Sequence, residues 1–96
     1  MISTEMNLKR TQMLAQINFM LCKKFEVCDF DNNRFYKNAE GIYFRVIPFP
    51  GEFALVIEYA ENAIAAKNGQ LEDGDRFYLE NNSIDTLFCD MLREIE

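Results

Sequence analysis

Residues 42–59, IYFRVIPFPGEFALVIEY, set two apolar runs either side of Phe49-Pro50-Gly51-Glu52. Pro presets φ for the first central position of a turn and Gly tolerates the positive φ of the second, so Pro50-Gly51 marks a tight reversal. The stretch is expected to be a β-hairpin. Pairing Pro48 with Phe53, Val46 with Leu55, Phe44 with Ile57 and Ile42 with Tyr59 makes one face wholly large and apolar. The other face is mixed, with Tyr43 opposite Glu58, Arg45 opposite Val56, Ile47 opposite Ala54, and Arg45 diagonal to Glu58. A slip of one residue would set Arg45 against Leu55 and Glu58 against Ile42, so burial selects a pairing that keeps the faces separate. Two strands alone are marginal in water, and the rest of the chain must cover the apolar face.

The chain supplies that cover on both sides of the hairpin. Ser3 or Thr4 is placed to cap a first helix, with Glu5 in its first turn. At helical spacing Ile2, Met6, Met13, Leu14, Ile17, Met20 and Leu21 form one stripe, which should face the sheet. Leu8, Ala15, Phe19 and Cys22 form a second stripe on nearly the opposite side. Glu5, Lys9, Gln12, Gln16 and Lys23 separate the two on one flank, and Asn7, Thr11 and Asn18 on the other. A helix apolar on two sides is buried between layers or meets a second subunit, which makes a homodimer one of the two expectations.

Residues 25–30 alternate as a strand ended by Asp31-Asn32-Asn33, and residues 34–37 form a second strand closed by Asn38-Ala39-Glu40-Gly41. With the hairpin this makes a four-strand meander, antiparallel because every connection is of hairpin length. Residues 60–67 are Ala-rich and helix-prone, stopped by Asn68-Gly69. Residues 70–75 are expected to be a loop, and Arg76-Phe77-Tyr78-Leu79 a candidate fifth strand. Ile84, Leu87, Phe88, Met91, Leu92 and Ile95 recur at helical spacing behind Asn82 or Ser83 as cap, with Asp85 in the first turn.

Ninety-six residues make a single domain, 1–96, and 49 % hydrophobic residues with 9 Phe against 27 % charged supply a core. No apolar run approaches the ~20 residues that span a bilayer, and MISTEMNLKR lacks the order of a signal peptide. The expectation is a cytoplasmic chain with no membrane partner. Cys22, Cys28 and Cys89 form no CxxC, and free buried thiols are expected.

The formal charge of −6 is uneven. Residues 1–48 hold 7 Lys+Arg and 5 Asp+Glu, net +2, while residues 49–96 hold 3 and 11, net −8. Direct nucleic-acid binding is disfavoured, since it depends on neutralising phosphates with basic groups. A basic protein partner suits the acidic half.

There is no histidine, which excludes His-based triads, a His general base and Cys₂His₂ zinc sites, and three scattered cysteines cannot complete a Cys₄ site. No GxGxxG, Walker A, GxSxG or HExxH pattern occurs, so no enzymatic activity is expected and no catalytic, metal or cofactor residue is assigned. Asp29, Asp31, Asn33 and Glu40 fall at positions one, three, five and twelve of an EF-hand loop. Arg34 stands where that loop needs Gly and Lys37 at its ninth position, so an Asx-rich turn is expected instead.

Two surfaces remain as binding candidates. Glu72, Asp73, Asp75 and Glu80 are the densest acidic cluster, and Tyr43 and Arg45 carry the mixed face of the hairpin, with Tyr36 and Phe35 on the neighbouring strand. Tyr and Arg are enriched at binding hot spots. Phe19 represents the second stripe of the first helix. The chain is thus read as a two-layer α+β fold, an antiparallel β-meander packed by an N-terminal and a C-terminal helix plus a short middle helix. Functionally it is read as a small acidic module that sequesters or inhibits a basic protein through Glu72, Asp73, Asp75, Glu80, Tyr43, Arg45 and Phe19, in an immunity, anti-defence or chaperone-like role. The alternative is a small carboxylate-based enzyme or a ligand-binding sensor.

Overall fold

The computed structural model describes residues 2–96. The element order is α1 (Thr4–Lys24), β1 (Glu26–Phe30), β2 (Asn33–Lys37), β3 (Tyr43–Pro48), β4 (Ala54–Ala60), α2 (Ala63–Asn68), β5 (Glu72–Tyr78) and α3 (Ile84–Ile95). The five strands form one antiparallel sheet in chain order, an α+β fold. Among the described residues, no helix is long and apolar enough to cross a membrane.

The helix ends follow their caps. Ser3 Oγ accepts from the Met6 amide, Asn62 Oδ1 from that of Ala65, and Ser83 Oγ from that of Thr86. Gly69 ends α2 in the left-handed region at φ 70°, a conformation that costs a residue with a Cβ. Helix α2 starts at Ala63, because Ala60 ends β4 as partner of Tyr43. Phe25 is the C-cap of α1 and not the first residue of a strand. Asp31 and Asn32, at φ 47° and 70°, close the β1–β2 hairpin as the two-residue turn that needs positive φ at both positions. The EF-hand spacing is therefore that of a turn, and Asp29 pairs with Arg34 at 3.3 Å.

The central hairpin keeps its two faces but shifts its pairing by two residues. Pro48 pairs with Leu55, Val46 with Ile57, Phe44 with Tyr59 and Arg45 with Glu58, and Ile42 lies outside β3. A two-residue shift leaves every side chain on its face, so burial alone does not distinguish the two pairings. The loop decides it. Glu52 donates its amide to the Phe49 carbonyl across Pro50-Gly51, and Phe49 donates to Ala54, which leaves Phe53 in the loop. From α1, Arg10 Nη1 donates to the Phe49 and Glu52 carbonyls, both at 2.7 Å.

Helices α1 and α3 cover the apolar face. Met13, Ile17 and Leu21 of α1 and Leu87, Met91 and Ile95 of α3 bury themselves against Tyr36, Phe44, Val46, Leu55 and Ile57. Each large side chain so buried contributes about 1.5–3 kcal/mol. The buried Tyr36 hydroxyl donates to Asn18 Oδ1 at 2.8 Å, and Asn38 Nδ2 donates to the Ile95 carbonyl at the end of α3. On the opposite face α2 sets Ala65 and Ala66 over Phe35 and Ala60, with Phe30, Tyr43 and Leu71 around them. The thiols are free, yet Cys22 and Cys89 are exposed and Cys28 half-buried, contrary to the expectation of buried cysteines. Cys22 is exposed because it lies on the outer stripe of α1, which nothing among the described residues covers.

Candidate functional site: an acidic edge strand and its cleft

Residues 72–75 are not a loop. They open β5, which runs from Glu72 to Tyr78 at the edge of the sheet next to β4, and Leu79 follows it as a buried residue. The strand is interrupted once. Val56 pairs with Arg76, but Glu58 pairs with Asp73, so Gly74 and Asp75 together oppose Ile57 in a bulge.

A polar constellation holds the bulge. The Asp75 amide, released from the ladder, donates to Glu94 Oε1 at 2.6 Å, and the Tyr59 hydroxyl donates to Glu94 Oε2 at 2.5 Å. Burial, reinforced by the Glu94 carboxylate, raises the Tyr59 pKa well above its ordinary value, so the phenol keeps its proton. Gly74 leaves room for both groups. A Cβ built there would lie 2.6 Å from Tyr59 Cε2 and 2.7 Å from Glu94 Oε2.

Beside this constellation opens a cleft of about 650 Å³, lined by Ile42, Tyr59, Glu61, Ala65, Gly69, Gln70, Leu71 and Glu72. It combines aliphatic and aromatic surface with two carboxylates. That combination suits an aliphatic chain ending in a cation, such as a lysine or arginine side chain, because the stem packs on apolar atoms while the charged head keeps polar partners. Among the described residues no three His, Cys, Asp or Glu side chains gather as a metal-ligand set. Glu72 and Asp73 pair with successive residues of β4 and therefore point to opposite faces of the sheet.

The seven residues singled out from the sequence fall into separate regions. Glu72, Asp73 and Asp75 share the exposed edge strand, whereas Glu80 lies beyond its far end beside Glu5, Met6, Lys9 and Phe53. Tyr43 packs in the α2-side cluster, edge-on to Phe30 at 5.5 Å between centroids. Arg45 is committed to Glu58, with Nη2 2.8 Å from Oε1 and side chains only 26 % and 16 % exposed, and it stacks over Phe35. It thereby offsets the like charges of Glu58 and its cross-strand partner Asp73. Phe19 stands on the outer face of α1, 60 % exposed.

Tyr59, Glu94, Gly74 and Glu61 were not evident as site residues. The one sequence signal was Gly74 between two aspartates, since a glycine inside a strand pattern marks a bulge. No protein-family model, curated protein or solved structure matches the chain.

Proposed function

We propose that the chain is a non-enzymatic binding module that sequesters or inhibits a basic protein by taking an extended basic segment along β5. The observation that carries this reading is an edge strand that exposes Glu72, Asp73 and Asp75 on the open side of the sheet. Edge strands are templates for strand addition, and main-chain hydrogen bonds then supply affinity while side-chain pockets supply specificity. The charge selects the partner's sign. A second copy of β5 would bring carboxylates against carboxylates, while a Lys/Arg-bearing strand neutralises them and can place one long cationic side chain in the cleft at Tyr59, Glu61 and Glu72.

The test is affinity capture from the native cell with the wild-type chain and with the charge reversal Glu72→Lys, Asp73→Lys, Asp75→Lys, followed by mass spectrometry. The wild type should retain basic proteins whose binding weakens with salt, and the variant should lose them. An unchanged captured set would remove β5 as the binding surface. The cleft also favours the sensor reading, since about 650 Å³ is the size of a small-molecule pocket. A small cation retained by the purified protein in native mass spectrometry would support that reading instead.

A further inference from the structure

The outer stripe of α1 does not belong to the β5 site. Leu8, Ala15, Phe19 and Cys22, and Gln12 on the flank nearest them, are all exposed, and Leu8 and Phe19, at 58 % and 60 %, are two of the largest exposed apolar side chains. Their spacing of four, three, four and three residues is that of a coiled-coil seam. The seam lies opposite the buried stripe of Met13, Ile17 and Leu21. Against it runs an apolar groove of about 400 Å³ lined by Ala15, Gln16, Phe19, Met20 and Ile84.

We infer that this face is a self-association surface on which a second copy of the chain docks its own α1 in antiparallel orientation. The face is complementary to itself. With the helices opposed about a point between Met13 and Leu14, Leu8 meets the partner's Phe19 and enters the groove beside it, and the same contact recurs by symmetry. Gln12 faces the partner's Ala15 at the centre, where the small residue lets the helices approach. Charge fixes the direction. Antiparallel pairing sets Glu5 beside the partner's Lys23, whereas parallel pairing would oppose Glu5 to Glu5 and Lys23 to Lys23. In the single chain the Lys23 ammonium lies 4.2 Å from the Phe19 ring centroid, so it is already at the seam. Helix α1, 21 residues and about 31 Å long, offers three heptads of contact.

Sedimentation velocity across low to high micromolar concentration tests this. The wild type should show a monomer–dimer equilibrium, and Phe19→Glu should be monomeric with its far-UV circular dichroism unchanged. Glu5→Lys and Lys23→Glu should each weaken association several-fold, and the double swap should restore it. A wild type that stays monomeric, or a Phe19→Glu variant that dimerises as the wild type does, overturns the surface. Under mild oxidation Glu5→Cys should bridge to the partner's Cys22, while a bridge between the two Cys22 residues would overturn the antiparallel arrangement.

Discussion

Tyr59, Glu94 and Gly74 depend on one another for space and for hydrogen bonds. Removing the phenol hydroxyl in Tyr59→Phe takes away the donor to Glu94 Oε2, and urea denaturation should show a loss of about 1–2 kcal/mol. Gly74→Ala forces its new methyl against the Tyr59 ring and the Glu94 carboxylate, and should cost about 1–3 kcal/mol by the same measurement. The pair also makes a pH prediction. Tyr59 holds its proton more tightly in the folded than in the unfolded state, so its contribution is complete below the unfolded value near 10 and is lost as the pH rises beyond it. Unfolding free energy should therefore fall as alkaline pH increases above 10, and less steeply in Tyr59→Phe; equal slopes would contradict the assignment.

The helices and strands differ in how far they could be read from residues alone. Ser3, Ser83 and the apolar spacing of α3 announced their helices, and Asp31-Asn32 announced its turn, because caps and turns are local chemistry. The pairing of β3 with β4 was not local. Both pairings bury the same face, and the choice depends on a loop held from 39 residues away, where Arg10 Nη1 donates to the Phe49 carbonyl. Arg10→Ala should thus destabilise the fold by about 1–3 kcal/mol, as expected for removing a part-buried charged donor. Hydrogen exchange in residues 49–54 should rise above that elsewhere in the hairpin, and uniform acceleration would contradict this loop-specific role. Strand β5 escaped a reading by composition because Glu, Asp and Gly are poor strand formers. Pairing with β4 overrides that propensity, and its bulge accommodates the glycine.

Across the whole molecule, the acidic edge and the outer stripe of α1 are separate surfaces, while exposed apolar side chains also stand at Ile64 and Tyr78 in the acidic half. The acidic second half supplies β5 and all of the cleft lining but Ile42, while the first half supplies the outer face of α1. The sequence conveyed the imbalance of −8 against +2 and the second stripe of α1, both properties of the chain itself. It did not convey that Arg45 is spent on Glu58, that Glu80 stands apart from Glu72 and Asp73, or that Glu94 reaches back to the bulge, since these depend on long-range pairing. The most direct measurement of the proposed strand addition is hydrogen exchange of the chain alone and in complex with a basic protein retained in the affinity capture. Strand addition predicts that amides of β5, Glu72–Tyr78, gain protection on binding, with little change on the outer face of α1. Protection confined to α1, or spread over neither β5 nor its cleft, would contradict it.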